Sequence, residues 1–210
     1  YFAPLRGVGN YIFREVFFSH FSGYDKTIIP FISPGNNFNF TSGDLRELQS
    51  GLNSNVKHIP QIMGNNPEFM KNAIEKLLEL GFDEVNWNLG CPFRIVVKKQ
   101  KGSGLLPHAD KIDNILKEIT SIFPDKISVK LRVGISDDSD IKKLIPIFNN
   151  YPIKNITLHP RTTLQKYEGN VDLDSFEYFY KNNRHKLIYN GDIKDIVFYN
   201  KVKEKFPHIE

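Results

Sequence analysis

Short apolar runs alternate along this chain with longer segments whose apolar residues recur at helical spacing. TIIPFI (27–32), HIPQIM (58–63), EVNWN (84–88), KISVKLR (126–132), NITLH (155–159) and KLIYN (186–190) are short and rich in β-branched or aromatic residues. Gly, Asn, Asp and Pro punctuate the chain between them, the pattern of strands. The opening YFAPL (1–5) reads as a further strand. Helices are predicted over 10–21, 44–52, 67–80, 110–123, 137–151, 172–182 and 193–206. In the 67–80 segment Phe69, Met70, Ala73, Ile74, Leu77 and Leu78 fall on one face. Pro67 suits its first turn and Gly81 its end. Pro146, near the middle of 137–151, predicts a kink.

Each strand is followed by a helix or a helix-bearing connection, and repeated βα units predict a parallel sheet. A closed eight-stranded barrel uses about 250 residues. This chain has 210, and an eighth unit would need about 30 more. The expected fold class is therefore α/β, a TIM-type (β/α)8 barrel cut short after its seventh βα unit. No repeat, linker or low-complexity stretch marks a second domain, so residues 1–210 are read as one.

Hydrophobic residues at 40% and charged residues at 25% give the balance of a globular chain able to bury a core of its own. The net charge of +4 fits an anionic partner such as RNA or a phosphorylated cofactor, although a chain rich in Lys, Asn and Ile also drifts basic without one. With one cysteine, no disulfide can form within the chain, and an oxidising compartment is not indicated. The N-terminal residues carry no basic-then-apolar leader, and no apolar run reaches the roughly 20 residues of a membrane span. A cytoplasmic protein with no membrane partner is expected.

In a barrel of this class, chemistry sits at the C-terminal ends of the strands. This sequence puts polar or conformationally special residues at nearly every such end. They are Pro4-Leu5-Arg6, Gln61, Asn88 through Pro92, Lys130 and Arg132, His159 through Thr162, and Asn190-Gly191-Asp192. Singly, each has a structural explanation: a core histidine, a snorkelling lysine, an Asn-Gly turn. A core has no need for amides, bases and a thiol gathered at one end. Cys91, between Gly90 and Pro92, is expected to be held outward on a tight turn. A thiol of ordinary pKa, about 8.5, is mostly protonated at neutral pH, so proton donor and nucleophile are both open. A metal site is not expected, because no second cysteine is available and the histidines lack ligand spacing. The stretch KKQKGSG (98–104) reads as a flexible basic loop, suited to a phosphate backbone or simply to solvent.

Several motifs together resemble the tRNA-dihydrouridine synthase family. NLGCP (88–92) followed by KGSGLL (101–106) resembles that family's segment around its catalytic cysteine. SVKLRVG (128–134), LHPRTTLQKYEG (158–169) and YNGDI (189–193) are similar to further family segments in the family's order, and APLRG (3–7) to its opening. Leu5 stands where the family usually has Met, and Pro160 where it often has Gly.

The resemblance implies an FMN-binding barrel that reduces a tRNA uridine to 5,6-dihydrouridine, with NADPH reducing the flavin. It implies Cys91 as the general acid, giving a proton to C5 while hydride reaches C6. Pro4, Leu5, Arg6, Gln61, Lys130, His159, Asn190, Gly191 and Asp192 would border the cofactor. Asn88, Arg161 and Tyr167 would hold the extruded uridine. It further implies an eighth unit with a phosphate loop and a C-terminal helical tRNA-binding domain, neither of which this chain contains, and a monomer when full length. Two other readings remain: a flavin barrel acting on a free pyrimidine, like dihydroorotate dehydrogenase, and a non-catalytic RNA-binding module.

Overall fold

A computed structural model describes residues 1–5, 7–36, 38–49 and 55–209. The chain divides into two compact units, Tyr1–Trp87 and Asn88–Glu210.

The first unit contains α1 (Tyr11–His20), β1 (Lys26–Ile28), α2 (Ser42–Gln49), β2 (Lys57–Ile59), β3 (Gln61–Ile62), α3 (Pro67–Glu79) and the start of β4 (Val85–Leu89). Asn10 caps α1 through its side chain, and Asn66 caps α3 ahead of Pro67. The apolar face of α3 buries Met70, Ala73, Ile74 and Leu77, each worth about 1.5–3 kcal/mol for the larger side chains. β1 and β2 pair in parallel with Thr27 opposite His58. β3 and β4 pair in parallel with Gln61 opposite Asn86.

Prolines make these strands shorter than the periodicity predicts. Pro60 splits the 58–63 run, since it brings no N–H to the ladder, although its carbonyl still accepts from Asn86 N at 2.8 Å. Pro30 follows the end of β1, and Ile32 keeps only an isolated bridge to Ile62. The expected strand over 1–5 is reduced to a bridge between Phe2 and Thr27. After Pro4 the chain turns, and the Leu5 carbonyl accepts from Val8 N and Gly9 N instead. Of the helix expected over 44–52, the described part is α2; Leu52 lies outside the described residues.

The second unit contains α4 (Arg94–Lys98), a 3-10 turn (Gly102–Leu105), α5 (Ala109–Thr120), β5 (Ile127–Gly134), α6 (Ser139–Phe148), β6 (Ile156–Thr162), α7 (Leu173–Asn182), β7 (Leu187–Tyr189) and α8 (Ile196–Lys205). β5, β6 and β7 are parallel neighbours in chain order, with α6 packed on β5 and α7 on β6. This is the βα succession that the sequence predicts. α5 turns Ile112, Ile115, Leu116 and Ile119 inward. α6 keeps Pro146 within its last turns.

One expectation fails here. Residues 98–104 are not a flexible basic loop: α4 and the 3-10 turn occupy most of the stretch, and Gly102 through Leu105 are buried. Gly104 explains the close fit, because a Cβ there would stand 2.5 Å from the Val97 carbonyl oxygen. No helix among the described residues is long and apolar enough to cross a membrane.

Candidate active site

Strand geometry decides which side chains share a surface. Successive residues point to opposite faces, so on β5 Ser128, Lys130 and Arg132 lie on one face while Val129, Leu131 and Val133 lie on the other. The parallel register sets Lys130 opposite Thr157 and Arg132 opposite His159. Beyond that pair the register shifts, because β6 uses an extra residue between His159 and Thr162. Pro160, which has no N–H to pair, sits in this bulge, and its carbonyl accepts from Asp172 N at 2.7 Å.

Cys91 follows β4 in a turn built by Asn88. The Asn88 side-chain oxygen accepts from Gly90 N and Cys91 N, both at 3.0 Å. The thiol does not stand outward as expected; Cys91 is buried, 7% exposed. The reason is the 3-10 turn packed against it. Ser103 donates to the Cys91 carbonyl from its hydroxyl at 2.9 Å and from its backbone N at 3.2 Å. Gly102, at φ +55°, lies so close that a Cβ would stand 2.9 Å from Cys91 Cβ.

Arg132 joins this turn to the segment after β6. Its Nε donates to the Gly90 carbonyl at 3.0 Å, and Nη1 donates to the carbonyls of Thr162 and Lys166 at 2.8 and 2.6 Å. The Tyr167 ring lies over its guanidinium, 5.3 Å from ring centroid to Cζ. Tyr167 itself is 65% exposed.

Lys130 stands apart from these bonded groups. Its side chain is half-buried, and among the described residues its ammonium has no hydrogen bond and no ion pair. Burial, with the nearby Arg132 charge, pushes its ammonium down to about 8. His159 is buried, and burial together with the charges of Lys130, Arg132 and Arg161 lowers it to about 3. It is a neutral imidazole at any ordinary pH. Two buried polar atoms lack partners in this region of the strands, Thr157 Oγ1 and the Tyr189 hydroxyl.

Arg161 is fully engaged. Nε donates to the Glu168 carbonyl at 3.2 Å, Nη2 to the Gly169 carbonyl at 2.5 Å, and Nη1 to His159 Nε2 at 3.4 Å. Nη1 and Nη2 also hold Asp192 bidentately, the Nη1–Oδ1 bond at 2.7 Å. All five guanidinium N–H groups are thereby used. Arg161 keeps the Asp192 carboxyl below the usual carboxylate range. Asn190 continues the ladder by donating from its backbone N to the Leu158 carbonyl at 3.1 Å.

The second unit thus brings together Asn88, Cys91, Lys130, His159, Arg161, Tyr167, Asn190, Gly191 and Asp192 at the C-terminal ends of its strands. In the first unit, Gln61 is buried and its Nε2 donates to Asn86 Oδ1 at 2.7 Å. Pro4 and Leu5 lie in the turn before α1, with Leu5 exposed, and Arg6 lies outside the described residues. Sequence reasoning assigned no role to Ser103, Gly102 or Thr157. The Gly-Ser-Gly spacing was the available signal for the first two; nothing local marks Thr157. Among the described residues no cluster of three or more His, Cys, Asp or Glu could hold a metal ion.

Solved structures share this fold. Morphinone reductase in complex with tetrahydroNAD superposes with a TM-score of 0.65 over 98% of this chain and 79% of its own, at 9% identity. The old yellow enzyme homologue from Zymomonas mobilis gives 0.58 over 88% and 74%, at 11% identity. At such identities the likeness shows the fold alone, the α/β class of TIM-type barrels expected from the sequence. Among curated proteins, tRNA-dihydrouridine synthase B of Vibrio cholerae is 28% identical over 91% of this chain. A tRNA-dihydrouridine(47) synthase-like protein of Arabidopsis thaliana is 29% identical over 100% of this chain and 30% of its own length. The chain spans 59% of the length of the Vibrio relative. The family model described as dihydrouridine synthase matches residues 1–206. That match takes in every strand and helix described above, and the chain belongs to the dihydrouridine synthase family.

Proposed function

We propose that the protein of which this chain is part reduces a uridine base in tRNA to 5,6-dihydrouridine, using FMN as cofactor and NADPH as reductant. The observation that carries the reading is the Lys130 ammonium, half-buried on β5 among the charges that surround neutral His159 and with no acceptor among the described residues. An unpartnered ammonium held well below its ordinary pKa by desolvation is the kind of group that gathers at ligand sites. Lys130, the free Nδ1 edge of neutral His159 and the hydroxyl of Thr157 form a donor set suited to an electron-rich, anionic ring system. Arg132 and Arg161 keep the surroundings positive against the single carboxylate of Asp192. These residues of the second unit fit FMN: Lys130 and His159 would donate to its ring, and Asn190 and Gly191 would border it. FMN, when bound, supplies the hydride.

The protein groups then orient the base and deliver the proton. The exposed ring of Tyr167, packed on Arg132, offers a stacking platform for an extruded base, whose removal from its stack costs a few kcal/mol. Cys91, on a turn fixed by Asn88 and Ser103, gives its thiol proton to uracil C5 as general acid. Asn88 acts through that turn. The names of the curated relatives support tRNA as the substrate, and the net charge of +4 agrees with a polyanionic partner. With no membrane-spanning helix among the described residues, a cytoplasmic site of action is the companion proposal.

The test is a visible spectrum of the chain with added FMN, followed by turnover of unmodified tRNA with NADPH. A bound-flavin spectrum and dihydrouridine in the product are expected. Cys91→Ala should keep the spectrum and lose the product. Unchanged turnover in that variant, or turnover of free dihydroorotate in place of tRNA, would overturn the reading.

A further inference from the structure

Arg161 and Asp192 come from different strand ends, yet their contacts converge on one atom of His159. Asp192 grips the Arg161 guanidinium through both carboxylate oxygens. Glu168 and Gly169 carbonyls hold Nε and Nη2. The remaining Nη1 hydrogen is aimed at His159 Nε2, 3.4 Å away. A guanidinium has donors and no acceptor, so Nε2 can only accept. A neutral imidazole carries one N–H, which must then be on Nδ1.

Gly191 makes the arrangement sterically feasible. It adopts φ +153°, and a Cβ there would stand 3.0 Å from His159 Cδ2 and 3.4 Å from Nε2. Any side chain would push the ring edge away from Arg161. Asp192, at φ 45°, follows directly and sends its carboxylate back to the guanidinium. The charged groups acting on the imidazole are Lys130, Arg132, Arg161 and Asp192, and Tyr167 lies beside its ring at 6.4 Å between centroids. Burial first, then three cations against one anion, keep the ring neutral. Among the described residues nothing accepts from Nδ1.

We infer that Asp192 and Arg161 are positioning residues that lock His159 in its Nδ1–H tautomer, so that the imidazole offers a hydrogen-bond donor to the ring system held beside Lys130. Arg161 and Asp192 act through His159 and through the 168–169 backbone, and neither reaches the ligand. The inference rests on the proposed flavin site for its purpose, but the tautomer is a property of the protein alone.

The experiment is nitrogen-15 NMR of the full chain carrying ring-labelled histidine, with His159 assigned by its loss in His159→Gln. The expected parent spectrum has a protonated Nδ1 and a bare Nε2, unchanged from pH 5 to 8. Asp192→Asn should release the guanidinium and give mixed tautomers, and Asp192→Glu should restore the parent pattern in part. FMN affinity should fall several-fold in Asp192→Asn while its bound spectrum is retained. A parent with the proton on Nε2 overturns the inference without any variant, as does an unchanged tautomer in folded Asp192→Asn. If the protein of which this chain is part takes up no FMN, the proposed function falls and the tautomer result stands.

Discussion

Ser103 holds the carbonyl of Cys91 with two hydrogen bonds, from its hydroxyl at 2.9 Å and from its backbone N–H at 3.2 Å. The two residues are twelve apart in sequence, and the contact explains why a cysteine on a strand-end turn is buried. Ser103→Ala removes one of the two donors from a buried acceptor, which costs about 1 kcal/mol. The expected result is a small loss in thermal stability and a larger fall in the rate of uridine reduction, with FMN affinity unchanged. Paired melting and turnover measurements check it, and equal activity in the variant would count against a positioning role.

Gly104 is a purely steric case. A Cβ there would meet Val97 at 2.5 Å from its carbonyl oxygen and 2.6 Å from its Cα, both backbone atoms that cannot rotate away. Gly104→Ala should destabilise the chain by about 1–3 kcal/mol, the usual range for overpacking. Gly43→Ala is the control, since its nearest neighbour would be 3.6 Å away. Urea denaturation of both variants makes the comparison.

Lys130 gives a pH dependence with a definite sign. Its ammonium is lowered in the folded chain from 10.5 to about 8, so between those values the unfolded chain binds the extra proton. Stability therefore rises as pH goes from about 8 to 10.5, and the burial penalty is present in full below that window. Lys130→Met should be more stable than the parent at pH 7 and should lack this rise. It should also bind FMN at least tenfold more weakly, since a hydrogen bond from a charged donor contributes about 1.5–3 kcal/mol. Denaturation curves across the window, with a flavin titration, test both halves.

His159 acts in the opposite pH range. Its folded value of about 3 lies below the ordinary 6.5, so its contribution is present above 6.5 and is lost as pH falls toward 3. Carboxylates such as Asp192 titrate in the same direction. The informative quantity is thus the difference between the parent and His159→Gln. That difference should shrink steadily on acidification below pH 6.5.

Tyr167 separates binding from folding. Its ring is 65% exposed and lies against the Arg132 guanidinium, a contact worth about 0.5–1 kcal/mol at such a site. Tyr167→Ala should leave the melting temperature nearly unchanged while raising KM for tRNA. An unaltered KM would remove the stacking platform from the proposal.

Much of this molecule is local information, and local information is legible. The inward face of α3, with Pro67 in its first turn, follows from side-chain chemistry and spacing within a few residues. So does the common face of Lys130 and Arg132, two residues apart on one strand. The family motifs are likewise short runs that survive as strings.

What the sequence could not reveal is which donor meets which acceptor across long separations. Arg161 was expected to reach a base and Asp192 a cofactor, yet the two grip one another across thirty-one positions. That pairing depends on the register of β6 and β7 and on the bulge at Pro160. Cys91 was expected to face outward because its neighbours form a tight turn. Only the docking of Gly102 and Ser103 onto it decides that it is buried. Periodicity is set by the geometry of consecutive residues. The pairing of side chains is set by where the backbone brings distant strand ends together, and that is a property of the folded chain alone.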